Sequence, residues 1–180
     1  MDRYADGDAA AFAGVYDLLA PRLLSFFVRN AGDRSAAEDL AQQTFFHIHR
    51  ARASFVRGSD VVPWAFAIGR RLLIDARRRR KNEVLLESDD DAKSSLEVRA
   101  SRDAIPDEVA GAKQLAARAH AEIQRMPEPQ RAAYQLVRDE GLSVADAARV
   151  LGTTVTAVKQ RVFRASEALR AALGLVADGK

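Results

Sequence analysis

The stretch SVADAARVLGTTVTAVKQRVFRASEALR, residues 143–170, decides how the rest of the chain is read. Ser143 with Asp146 three residues on is a helix-start signature, and Gly152 stops that short helix after Leu151. A second, longer helix follows from about Thr154. Two helices joined by a short turn containing glycine are the sequence form of a helix-turn-helix, in which the second helix enters the DNA major groove. At 3.6 residues per turn Val155, Val158, Val162, Ala165 and Leu169 share one face of that helix. Thr156, Gln160, Phe163 and Arg164 lie roughly opposite, flanked by Lys159 and Arg161. The valine face is expected in a core, and the other offers the donors and acceptors that base edges and phosphates use. The solvated face of an ordinary helical bundle has the same pattern, so this stretch alone leaves both readings open.

A chain of 180 residues that is 48% apolar and 29% charged has the composition of a globular protein and room for two small helical domains. No apolar run is expected to reach the roughly 18 residues that span a bilayer, and the start MDRYADGDAA is acidic where a signal peptide is basic then apolar. Both features point to the cytoplasm and against membrane insertion. The absence of cysteine fits that compartment and excludes thiolate chemistry and cysteine-ligated zinc.

Charge is segregated along the chain. Residues 1–81 carry 14 Lys and Arg against 9 Asp and Glu, residues 82–110 carry 3 against 9, and residues 111–180 carry 11 against 7. Two basic ends around an acidic middle suggest two nucleic-acid-facing domains, 1–81 and 111–180, on a flexible acidic linker, 82–110.

In the first of these segments Phe12, Val15, Tyr16, Leu19, Leu23, Phe26 and Phe27 form one helical stripe, interrupted by Pro21, which predicts a kink or a break. Ser35 with Glu38 predicts the next capping box, opening a helix from Ala36 to about Arg52. Ala37, Leu40, Ala41, Thr44, Phe45 and Ile48 make its buried side. Asp39, Gln42, Gln43, Phe46, His49 and Arg50 make the other, an aromatic rimmed by amides and charges as in a protein-binding hot spot. After a loop over 53–63, the run WAFAIGRRLLIDARRRRK (64–81) begins with Trp64 and carries Arg70, Arg71, Arg77, Arg78, Arg79, Arg80 and Lys81 against the lone carboxylate Asp75. The helix dipole accounts for one or two cations at a C-terminus, not seven. An aromatic start and an arginine-rich end suit a strand of nucleic acid, with phosphates on the guanidinium groups and a base against the ring.

Four blocks in order, AEDLAQQTF (37–45), PWAFAIGRRLLIDARRRRK (63–81), MPEPQRAAYQL (126–136) and EGLSVADAARVLGTTVTAVKQRVFRASEALR (140–170), resemble the bacterial RNA polymerase sigma factors of the extracytoplasmic-function group, within the sigma-70 family. The resemblance covers nearly the whole chain and implies an all-α fold with a region 2-like domain and a region 4-like helix-turn-helix domain. It implies that Asp39, Gln42, Gln43, Phe46, His49 and Arg50 dock on the clamp helices of the largest polymerase subunit. It implies further that the 53–62 loop with Phe55, and the following helix with Trp64, Arg70, Arg71 and Arg77 to Arg80, open the minus ten element and hold a base flipped from the non-template strand. Thr154, Thr156, Lys159, Gln160, Arg161 and Arg164 would read the minus thirty-five duplex. The chain departs from the usual pattern at Gln43, where Glu is common, and at Arg71, where Asn is common. Core polymerase with its flap, promoter DNA and an anti-sigma factor are the implied partners, with the linker passing through the RNA-exit path.

No cofactor, metal or catalytic residue is implied. His47 and His49, two apart on a helix, point about 200° from each other and form no ligand pair. No phosphate loop or nucleophile elbow stands in the sequence. A dimeric DNA-binding regulator accounts for the helix-turn-helix and leaves the Phe46 face and the 64–81 helix without a role, and a decoy that binds polymerase and no promoter is the other alternative.

Overall fold

The structure, a computed structural model, describes residues 1–87 and 107–175, and every element among them is helical. The chain divides into two compact units, Met1–Val98 and Arg99–Lys180.

In the first unit α1 (Asp2–Ala5) and a 3-10 turn (Ala9–Ala11) lead into α2 (Phe12–Val28) and α3 (Arg34–Ala51). A second 3-10 turn (Arg52–Ser54) and a loop precede α4 (Val61–Glu87). Helices α2, α3 and α4 pack on one another around Leu19, Leu23, Phe26, Phe27, Ala37, Leu40, Ile48, Ala65, Phe66 and Leu73, all buried. Each large side chain among them contributes roughly 1.5–3 kcal/mol by leaving water.

Gly69 sets how closely the three helices approach. A Cβ there would lie 2.9 Å from Cζ of Phe27 and 3.3 Å from the Thr44 hydroxyl. Thr44 is buried, and its hydroxyl donates to the Leu40 carbonyl at 2.7 Å, which satisfies it inside the core.

Several sequence expectations are corrected here. Of the two outcomes expected at Pro21 the break is overturned, since α2 runs through it as one helix, with Pro21 and Asp17, whose carbonyl loses a partner to the proline, both exposed. The cap of α3 is Asp33, not Ser35: its carboxylate accepts from the Ala36 amide at 2.8 Å, and Glu38 instead receives Arg34 at 2.8 Å. Tyr16 is exposed although it lies on the α2 stripe. By length and composition alone Ala9–Val28 could cross a membrane, contrary to expectation. Asp17 and Arg22 lie within it, and Val15, Leu19, Leu23, Phe26 and Phe27 are buried in the bundle. Finally, α4 starts at Val61, capped by Asp60 through the Val62 amide at 2.9 Å, and continues to Glu87. It thus takes the first residues of the expected linker, whose stretch 88–106 lies outside the described residues.

The second unit comprises α5 (Asp107–Arg125), α6 (Glu128–Tyr134) continued by a π turn (Gln135–Asp139), α7 (Val144–Leu151) and α8 (Val155–Ala172). Helix α8 packs against α5, α6 and α7. Its Ala165 and Leu169 form a core cluster with Met126, bordered by Ala119, Ile123 and Tyr134.

Ser143 caps α7 by accepting from the Asp146 amide at 3.0 Å. Gly152 ends α7 at φ +61°, the left-handed conformation glycine adopts without a Cβ clash, and the next amide, Thr153, returns to the Ala148 carbonyl at 3.0 Å. Thr154 then caps α8 by accepting from the Ala157 amide at 3.1 Å. Three consecutive residues therefore stop one helix, turn the chain and start the next.

Candidate functional site

On α3 the six residues expected to meet a partner are all exposed and form one stripe, opposite the buried Leu40, Thr44 and Ile48. Phe46 is 58% exposed, and the Arg50 guanidinium carbon stands 5.6 Å from its ring centroid. A cation over an aromatic face holds the ring in place at modest energy, about 0.5–1 kcal/mol at an exposed position.

A hollow lies on each side of the stripe. Gln42, Phe46 and His49 border a groove of about 480 Å³ floored by Tyr4, Phe12 and Phe45. Asp39 and Gln43 border a cleft of about 240 Å³ whose far wall is Leu73, Arg77, Arg79 and Arg80 of α4. The first hollow is aromatic, and the second is largely apolar with three arginines and one carboxylate along its walls, so α3 presents an apolar anchor between two chemically different edges. His49 is not a free side chain, because its Nδ1 shares a 2.5 Å hydrogen bond with the Tyr4 hydroxyl.

At the start of α4 Trp64 is partly exposed, and the Phe55 ring meets it at 5.2 Å, edge to face. Phe55 itself is only 3% exposed, which corrects its expected position at the surface: it is the floor on which Trp64 rests. Arg71 is exposed and lines a cleft of about 400 Å³ with His47, Ala51, Ile68, Leu72 and Asp75. Its apolar floor and charged rim suit a flat heterocycle with polar edges.

The arginines of α4 are not equivalent. Arg77 donates to the Asn30 carbonyl at 2.7 Å and so fastens α4 to the end of α2, while Arg70 is half-buried. Arg78, Arg79 and Arg80 are exposed, with a guanidinium nitrogen of Arg80 near the backbone of Gly32. The sequence run of like charges therefore divides into residues that brace the bundle and residues that face solvent.

On α8 Val158, Val162, Ala165 and Leu169 are buried, whereas Val155, expected with them, is 42% exposed. It lies in the first turn, and burial of the stripe begins one turn later at Val158. Thr154, Thr156, Lys159, Gln160 and Arg164 are exposed, Arg161 is half-buried, and Phe163 is 64% exposed. Polar and cationic groups, with Phe163 among them, thus cover the face away from the core, starting at a helix N-terminus whose free amides favour a phosphate.

Two family profiles match the chain: Sigma-70 region 2 over residues 15–83 and Sigma-70, region 4 over residues 116–169. The RNA polymerase sigma-H factor of Pseudomonas aeruginosa is 31% identical over 96% of this chain and 91% of its own length. The ECF RNA polymerase sigma factor SigF of Caulobacter vibrioides is 32% identical over 94% and 89%.

The chain belongs to the extracytoplasmic-function group of RNA polymerase sigma factors. Among solved structures, the sigma factor RpoE of Bartonella quintana, determined with the anti-sigma factor NepR, has a TM-score of 0.74 at 25% identity, covering 92% of this chain and 98% of that one. CnrH, determined with the cytosolic domain of CnrY, shares the fold with a TM-score of 0.68 at 23% identity, covering 98% and 96%. This sigma factor therefore serves promoter recognition, in a family that is not one of enzymes.

Sequence reasoning missed the N-terminal part of the sigma factor's first unit. Tyr4 is buried, 5.2 Å from the Phe12 ring, with Arg52 over its own ring at 5.9 Å. Asp6 pairs with Arg57, and the hydrogen bond between them pushes the Arg57 guanidinium still further up in pKa. Asp8 bonds Arg3 at 2.6 Å, which lowers its carboxyl pKa. The only signal available was a tyrosine standing among small and acidic residues.

Proposed function

We propose that this sigma factor divides promoter recognition between its two units, residues 1–81 acting on polymerase and the minus ten element and residues 111–180 on the minus thirty-five element. The observation that carries the reading is the exposed Phe46, steadied by Arg50 and set between an aromatic groove and a cleft with three arginines on its far wall. Phe46 with Asp39, Gln42, Gln43, His49 and Arg50 docks on core polymerase, and the adjoining arginine wall keeps the path of the melted strand close to that contact.

Trp64, resting on Phe55, stacks on a flipped base of the non-template strand, and Arg71 with the cleft beside it meets that base or its neighbour. Arg78, Arg79 and Arg80 hold phosphates, with Arg70 and Arg77 bracing the helix beneath them. On α8 Gln160 and Arg164 reach base edges while Thr154, Thr156, Lys159 and Arg161 hold the groove walls. The polymerase performs the chemistry, and the sigma factor works in the cytoplasm without a cofactor. An anti-sigma factor is the expected negative regulator, as NepR accompanies RpoE in its solved complex.

The test is run-off transcription with core polymerase on a promoter library, comparing the native chain with Phe46→Ala. A buried aromatic anchor contributes about 2 kcal/mol or more to an interface, roughly thirtyfold in affinity. The variant should therefore lose core binding by at least about that factor with an unchanged melting temperature. Normal core binding by Phe46→Ala, or the absence of any promoter-dependent transcript from the native chain, would overturn the reading.

A further inference from the structure

The loop between α3 and α4 is short and held from outside. Phe55 is buried and Asp60 caps α4, so only Val56, Arg57, Gly58 and Ser59 form the exposed tip. Two of these four are bound by the N-terminal segment, more than fifty positions away in sequence. The Arg57 guanidinium donates to Oδ1 of Asp6, through Nε at 2.7 Å and through Nη2. The Gly58 amide donates to the Asp2 carboxylate at 3.2 Å, from a left-handed conformation at φ +76°.

The segment that supplies these carboxylates is itself anchored. Tyr4 is buried between Phe12 and His49 and hydrogen-bonded to His49, and Asp8 ties Arg3 while accepting from the Ala10 amide at 3.0 Å. Carboxylates are a poor choice for a surface meant to face phosphates directly. Beside this loop they are engaged with the loop itself. A tip left to itself would be ordered only when DNA arrives, and that ordering would weaken binding.

We infer that residues 1–8 are a strap that holds the minus ten loop in its base-reading conformation, with Asp2 and Asp6 as positioning residues acting through Gly58 and Arg57. The inference rests on the assignment of this loop to the minus ten element. It adds a requirement for residues that touch neither DNA nor polymerase.

The experiment uses holoenzyme reconstituted with Asp6→Arg, with Arg57→Asp, with both together, and with Trp64→Ala. Two readouts are taken: promoter opening by permanganate reactivity, and base preference on a library randomised at the minus ten element. Core affinity and melting temperature are measured alongside. Asp6→Arg should lower opening about fivefold and flatten the minus ten preference, with core affinity and melting temperature unchanged. The double variant, which rebuilds the pair with reversed charges, should return opening to within about twofold of the native chain.

If the double variant is as defective as Arg57→Asp alone, Arg57 acts on DNA itself and the strap is overturned. A gain in opening by Asp6→Arg without loss of preference, as added positive charge alone would give, also overturns it. If Trp64→Ala abolishes the preference and Asp6→Arg leaves it intact, the strap falls and the loop assignment stands. If Trp64→Ala leaves the preference intact, the loop assignment falls and takes the strap with it.

Discussion

On α8 the residues that hold the helix in place and the residues that face outward occupy different angles, whereas on α4 they are mixed along the same surface. Val158, Val162, Ala165 and Leu169 are buried, while Thr156, Lys159, Gln160 and Arg164 are exposed. On α4, by contrast, Arg77 is bonded to the Asn30 carbonyl within a run of arginines, and Trp64 rests on a buried Phe55. Two helices with comparable positive charge thus relate folding to binding in opposite ways. Substitutions on α8 should change recognition alone, and substitutions on α4 should often change both.

The largest test of that difference is Gly69→Val. A side chain there meets Phe27 and Thr44 at the three-helix contact. Overpacking of this kind costs about 3 kcal/mol, so the melting temperature should fall by several degrees or more. A matched change on α8, Gln160→Ala, should stay within about 0.5 kcal/mol of the native stability. If Gly69→Val unfolds at the native temperature, α4 is not held as closely as the structure has it.

Next in size is the separation of base reading from phosphate holding on α8. Gln160→Ala should relax preference at one or two positions of the minus thirty-five element by roughly 1–3 kcal/mol. Lys159→Ala should weaken every sequence alike. Binding to a randomised minus thirty-five library decides it, and the reverse outcome would mean that the helix is rotated about its axis from the orientation assigned.

The smallest effects compare two arginines two positions apart. Arg77→Ala should lower thermal stability by about 1 kcal/mol through loss of the bond to Asn30. Arg79→Ala should leave stability within about 0.5 kcal/mol and reduce the salt slope of open-complex formation by about 0.7 to 0.9. Equal stability losses for the two would erase the distinction between bracing and solvent-facing arginines.

The division on α8 could be read from the sequence because angular position on a helix follows from residue number alone. Only Val155 departed, and it did so because an end of the helix extends past the packed stripe. The start signal at Ser143 and the stop at Gly152 were legible for the same reason, each being a contact within a few residues. The fold of the first unit was legible to the extent that it depends on apolar periodicity, in α2 and α3.

What escaped was the set of contacts between residues distant in sequence. Arg77 meets Asn30 across 47 positions and Arg57 meets Asp6 across 51, and a charge pattern shows what a helix offers without showing which neighbour takes it. Gly69 escaped too, since a glycine inside a helix carries no signal of what presses against it. The same holds for α3, whose cap moved from Ser35 to Asp33: both residue types cap well, and only the backbone geometry chose between them.

The angular separation on α8 also bears on how such a protein can diverge. With Thr156, Gln160 and Arg164 reading the duplex as proposed, one copy could after gene duplication acquire a new upstream target by changing them while its four buried side chains, and so its stability, stay as they were. Along α4 that freedom is limited to the solvent-facing Arg78, Arg79 and Arg80, because Arg77 and Trp64 are tied into the bundle. Lineages descended from this chain should therefore differ sooner in the duplex they select than in the way they melt it.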